Sequence, residues 1–286
     1  MTPSSLVTEP VEVSRIVVPL DGSPFAERAL PVADWIASPM KADVQLIQVA
    51  HADEDAEAAM RYLDGVERRQ QGVKWDVLRR HDVPRALADH VADSPGTLVC
   101  LATHGRDRSA AALGSVAASL LDRNVQPLLL VGPQARVPPS VDAWVVVAVD
   151  GKARDEALVR IASDYATRLE RPLLIATVAE PVPALHEGQV RHRAHGPADP
   201  EGHLAWLAER VSSGAFGVDT LAVYDPVGVR DGLVRVLERS AALVVLGSRR
   251  RRGVPRMLRG SHAARIVHAA PVPALVVPWP TRSPRR

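Results

Sequence analysis

Arg15-Ile16-Val17-Val18-Pro19-Leu20-Asp21-Gly22 recurs in the second half of the chain as Trp144-Val145-Val146-Val147-Ala148-Val149-Asp150-Gly151. Each is an apolar run that ends in Asp-Gly and leads into a helical pattern. Short apolar runs bounded by turn residues read as strands buried on both faces, as in a parallel sheet. Working outward, Leu98-Val99-Cys100-Leu101-Ala102-Thr103-His104-Gly105 is matched by Leu243-Val244-Val245-Leu246-Gly247-Ser248-Arg249-Arg250, and Gly114-Ser115 by Gly260-Ser261. The halves also close alike, Gln126-Pro127-Leu128-Leu129-Leu130-Val131 answering Val272-Pro273-Ala274-Leu275-Val276-Val277. A pattern stated twice in one chain marks a duplicated unit.

Between these landmarks the first half predicts strands near 43–50 and 74–80 and helices near 24–38, 53–71 and 83–94. The second half predicts strands near 172–178 and 217–223 and helices near 153–170, 201–213 and 227–240. Strands separated by helical patterns of this length indicate right-handed crossovers and a sheet covered on both faces. The fold class is therefore α/β, two tandem doubly wound, Rossmann-like domains, each with a five-stranded parallel sheet. The predicted organisation is a tail over 1–14, a domain over 15–132, a Pro-rich linker over 133–142, a second domain over 143–278 and a tail over 279–286.

Composition limits the function classes. With 35 basic against 33 acidic side chains the net charge is only +2, too small to point to a nucleic-acid or membrane partner. A single cysteine, Cys100, lies in a predicted strand and cannot form an internal disulfide, which suits a reducing cytosol. Met1 to Ser14 lacks the basic and apolar regions of a secretion signal, and no apolar run is long enough to span a bilayer. A cytoplasmic location is expected.

In an open doubly wound sheet, ligands bind beyond the carboxyl ends of the strands, where the strand order reverses. Asp21 and Asp150 end the first strand of each half, where a carboxylate either accepts from ribose hydroxyls or caps the following helix. The Gly-bearing loop after the fourth strand and the Gly-Ser opening the next helix favour the ligand reading. Glycine admits phosphate to backbone N–H groups, and a helix N-terminus with a Ser hydroxyl favours anions.

Over nearly its whole length, and twice, the chain resembles the universal stress protein family. Nucleotide-binding members carry Gly, two residues, Gly, nine residues, then Gly followed by Ser or Thr. The first half offers Ala102, Gly105 after two residues, eight further residues, then Gly114-Ser115; the second offers Gly247, Arg250, nine residues, then Gly260-Ser261. The first half thus has Ala for the first glycine and a loop one residue short, while the second keeps the spacing with Arg250 in place of the second glycine. Arg250 either blocks the pocket or pairs with phosphate oxygens through its planar fork. The resemblance carries base-side contacts onto Pro19, Asp21, Val49 and Leu101 in the first half, and Ala148, Asp150, Val178 and Leu246 in the second.

What the resemblance implies is a stress-response sensor or regulator that binds an adenine nucleotide such as ATP, with Mg²⁺ accompanying it. It also implies that the two halves pair internally as a pseudo-dimer along 126–131 and 272–277, leaving a homodimer open. Two other readings stand beside it: an interaction protein that binds no nucleotide, and a weak ATPase. No Ser/His/Asp or Cys/His set recurs in both halves, so no enzyme is expected. The run Arg249-Arg250-Arg251-Arg252 has no interleaved aromatics and reads as a phosphate-facing or solvated loop rather than a nucleic-acid patch. His186, His192, His195 and His203 lack Cys partners and helical-pair spacing, so no metal site is expected. Their Pro- and Gly-containing segment reads as a long loop near the second site.

Overall fold

A computed structural model of the chain describes residues 12–70, 72–92, 94–103, 114–123, 126–136, 143–179, 199–211, 216–225, 227–250 and 262–280. The strands of the first half are β1 (Arg15–Leu20), β2 (Asp43–Ala50), β3 (Lys74–Arg79), β4 (Thr97–Ala102) and β5 (Leu128–Val131). Those of the second are β6 (Trp144–Ala148), β7 (Leu173–Ala179), β8 (Val218–Tyr224), β9 (Ala241–Arg250) and β10 (Ala274–Pro280). They form one sheet in the order β3-β2-β1-β4-β5-β10-β9-β6-β7-β8. Pairing is parallel within each half. The two last strands, β5 and β10, pair antiparallel, with Leu130, Leu129 and Leu128 opposite Ala274, Leu275 and Val276.

The helices are α1 (Pro24–Glu27), α2 (Leu30–Met40), α3 (Asp53–Arg69), α4 (Val83–Ala92), α5 (Ser115–Arg123), α6 (Asp155–Arg168), α7 (Pro200–Glu209), α8 (Val229–Ser240) and α9 (His262–Ala269). One face of the sheet buries side chains of α2, α3, α6 and α7 with Ile16, Leu129, Val145 and Leu275. The other buries α4, α5, α8 and α9 with Val17, Leu128, Leu130, Val146 and Val276. Alternate residues of β5 and β10 point to opposite faces, so each core runs unbroken through the junction. Helix α3 illustrates the local logic: Ala56, Ala59, Leu63 and Val66 form its buried stripe, with acidic residues in its first turn and Arg68 and Arg69 in its last, complementing the helix dipole.

The helix predicted over 24–38 is two helices. Pro31 has no N–H to donate to the Glu27 carbonyl, so the chain tightens there, Arg28 donating to Phe25 and Ala29 to Ala26. Freed from the helix line, Arg28 reaches the segment after β5 and donates to the carbonyls of Pro133 at 2.7 Å and Ala135 at 2.9 Å. From the other side the Arg136 N–H donates to the Pro271 carbonyl of the second half. The start of the predicted linker is therefore pinned between the halves, with Ala135 buried. Gly132 is required at the same junction: a Cβ there would lie 2.1 Å from the Val267 carbonyl oxygen of α9. No helix among the described residues is long and apolar enough to cross a membrane. Of the predicted tails, residues 1–11 and 281–286 lie outside the described residues, as do linker residues 137–142.

Candidate functional site

The strand order reverses beside β1 in the first half and beside β6 in the second, each first strand lying between the second and fourth strands of its half. At these two points the chain builds the same Asp-Gly turn by different means. Gly22 and Gly151 both take positive φ, 80° and 75°, which bends the backbone sharply after the carboxylate. In the first half Asp21 Oδ1 accepts from the Ser23 N–H at 2.9 Å, and Ser23 Oγ caps α1 by accepting from Ala26 N–H at 3.2 Å. The cap is thus Ser23, and Asp21 tightens the turn before it.

In the second half the fixing group comes from the other direction. Asp155, the first residue of α6, reaches back so that Oδ2 accepts from the Gly151 N–H at 2.7 Å and the Lys152 N–H at 2.9 Å. The same oxygen lies 3.1 Å from His203 Nε2 of α7. The imidazole is stacked on Trp206, and the Arg210 guanidinium lies over the same indole, 3.5 Å from its centroid. Asp155 is only 1% exposed and its Oδ1 has no hydrogen-bond partner among the described residues. Burial pushes its carboxyl above the ordinary carboxylate range; the His203 hydrogen bond draws it back, and the neighbouring Asp150 pushes it up again. Asp150 pairs through Oδ2 with Arg154 Nη2 at 2.5 Å.

Above this turn lies a cavity of about 120 Å³ at the carboxyl ends of β6, β7 and β9. Five predicted residues of the second half, Ala148, Asp150, Val178, Leu246 and Gly247, line it together. The pairings of Ala148 with Leu246 and with Ala176 bring the three strand ends level. Leu158, Leu233 and Ile266 supply apolar wall from α6, α8 and α9, and Asp150, Arg154 and Asp155 supply the polar edge. An apolar slot with a few convergent polar groups at one rim is the usual form of a small-molecule site.

Arg250 ends β9 opposite Pro280, while Gly260 and Ser261 lie outside the described residues. In the first half the pairing of Val17 with Val99 and of Pro19 with Ile47 puts Pro19, Asp21, Val49, Leu101 and Ala102 along one edge of the sheet. Gly114 stands just before α5, its N–H donating to the Thr103 carbonyl at 2.6 Å, and Ser115 opens that helix; Gly105 lies outside the described residues. Of the four histidines of the long loop region, His186, His192 and His195 also lie outside them, and His203 serves Asp155. Sequence reasoning missed Arg154 and Asp155. Their only sequence signal is that two charged residues occupy the places that Phe25 and Ala26 hold after the first Asp-Gly.

A model of the universal stress protein family matches residues 12–132 and again 144–278. A universal stress protein of Mycobacterium tuberculosis is 30% identical over 212 residues, covering 73% of this chain and 70% of that protein. One from Mycolicibacterium smegmatis is 25% identical over 281 residues, covering 96% of this chain and 89% of its own. Among solved structures, a universal stress protein from Archaeoglobus fulgidus superposes with a TM-score of 0.70 at 18% identity, covering 94% of this chain and 97% of its own.

Proposed function

This chain belongs to the universal stress protein family, and on that premise we propose that it is a cytoplasmic binding protein for ATP or a related adenine nucleotide, acting as a stress-response sensor or regulator, with its site in the second half. The observation that carries the proposal is the convergence of Ala148, Asp150, Val178, Leu246 and Gly247 on one cavity at the strand-order reversal. The apolar slot suits a planar base, and the Asp150 carboxylate at its rim suits ribose hydroxyls. A volume of about 120 Å³ takes a base-sized group, whereas pockets that hold a whole drug-sized ligand run to about 300 Å³ or more, so the sugar and phosphates would extend beyond the rim toward the α9 end of the site. Mg²⁺ would arrive with the phosphates, since no group of three or more metal-ligating side chains is assembled among the described residues.

The reading is of a binder rather than an enzyme. Asp155 is engaged in holding the turn and Asp150 in an ion pair, which leaves neither poised to activate a water. Mass spectrometry of small molecules released from the purified, denatured protein tests it, together with calorimetric titration of ATP into wild type, Asp21→Ala and Asp150→Ala. The expected result is saturable binding that survives Asp21→Ala and is lost in Asp150→Ala. No released nucleotide and no heat at millimolar ATP would leave the interaction-protein reading.

A further inference from the structure

Among the described residues, one cationic side chain lines the rim of the second-half cavity. Arg154 stands at the start of α6, its Nη2 on Asp150 Oδ2 at 2.5 Å, and its side chain is only 14% exposed. The same side chain lies across the end of β9: a Cβ on Gly247 would meet Arg154 Nε at 3.4 Å and Cδ at 4.0 Å. Arg154 therefore spans from Asp150 to Gly247 along the rim of the cavity, beside the carboxylate that a sugar would meet. It also balances charge there, since Asp150 and Asp155 both line the cavity.

Resting on the nucleotide reading above, we infer that Arg154 is a charge-selective latch that makes this site prefer phosphorylated ligands over the corresponding free nucleoside. A ribose hydroxyl that donates to Asp150 competes with a charge-assisted hydrogen bond whose guanidinium is mostly buried. A neutral nucleoside offers the displaced guanidinium nothing. A nucleotide offers phosphate oxygens, which match the planar fork and take it over as Asp150 turns to the sugar. Without Arg154, incoming phosphates would instead face two carboxylates. The first half has Phe25, an uncharged side chain, at the corresponding place after Asp21.

The experiment is calorimetric titration of adenosine, AMP and ATP into the full-length protein carrying Asp21→Ala, with and without Arg154→Met. With Arg154 present, ATP and AMP should bind at least about tenfold more tightly than adenosine; with Arg154→Met, adenosine tightens and ATP weakens until the preference is lost or inverted. An ATP-to-adenosine ratio that stays within about threefold on Arg154→Met overturns the inference while leaving nucleotide binding intact. If none of the three ligands binds with Arg154 or without it, the nucleotide reading itself fails and takes the latch with it. Thermal melts establish that the variant is folded. Should Arg154→Met not fold, Arg154→Lys replaces it: the charge stays and the fork goes, so the ratio must fall, and an unchanged ratio overturns the inference.

Discussion

The two halves solve one local problem with opposite chemistry. After each first strand the chain must turn sharply at Asp-Gly and start a helix. The first half does so with a neutral hydroxyl, Ser23 capping α1, and with a helix that breaks after one turn so that Arg28 can hold the carbonyls of Pro133 and Ala135. The second half starts its helix later, at Asp155, and holds the turn with a buried carboxylate, an imidazole and an ion pair. Duplication preserved the sheet, whose buried strands are constrained by packing on both faces, and left the turns free to diverge. The second-half turn places a buried carboxylate and an ion pair at a ligand-sized cavity, whereas the first-half turn, held by Asp21 and the Ser23 cap, leads into the helix break from which Arg28 braces the junction between the halves.

The junction is where the comparison is most easily broken, because there the halves cease to be separate. Gly132→Ala drives a methyl group into the Val267 backbone carbonyl, with 2.1 Å available. Neither partner can yield as a flexible side chain would, so the expected cost is about 3 kcal/mol or more. Since both cores run through β5 and β10, urea unfolding followed by circular dichroism should show a single transition shifted as a whole. Two separated transitions, one of them unmoved, would mean that the halves fold independently and the seam is a weak contact.

The turns themselves come next. Asp155→Ala leaves the Gly151 and Lys152 N–H groups and the His203 ring without their acceptor, for an expected loss of about 2 kcal/mol. Ser23→Ala removes one cap hydrogen bond and should cost about 1 kcal/mol. The same denaturation measurement compares them. Equal losses would mean that the charged network of the second half is no stronger than a hydroxyl cap.

These differences mark the boundary of what was legible in the sequence. The strands were legible because Val17-Val18 and Val145-Val146-Val147 are apolar runs that only a two-sided sheet can bury, and the repeat located the strand ends at which Asp150 and Leu246 meet. The break between α1 and α2 was not, because the amphipathic pattern continues across Pro31 and hides the missing N–H. Asp155 was missed: it falls within the helix predicted near 153–170, and its partner His203 is 48 positions away and is brought close only by the packing of α7. The need for Gly132, the last residue of the predicted first domain, was not legible, since the carbonyl that forbids a side chain there belongs to α9. Arg154 was hidden by the repeat itself: an alignment of the halves sets it against Phe25, which suggests no charge at that place.

The smallest effect is the most specific to the ionic turn, and it lies in the shape of a pH profile. Burial is the main reason that Asp155's carboxyl is raised, so the folded state holds that proton more tightly than the unfolded chain does. Its contribution to stability is therefore fully present below the unfolded value of about 4 and is lost as pH rises through the higher folded value. Asp155→Asn keeps an oxygen for the turn N–H groups and cannot ionise, so the stability of wild type relative to this variant should fall as pH climbs from about 4. Ser23→Ala, which removes a hydroxyl that does not ionise in this range, should show no such trend. Urea midpoints across the acid range, measured for both pairs, decide the matter. Repeating the Asp155 pair in a His203→Ala background removes the hydrogen bond that draws the carboxyl down, which should steepen the fall. A gap that widens with rising pH would mean that the imidazole and the two N–H groups outweigh burial, and that the second turn is held by a carboxylate ionised more readily than usual.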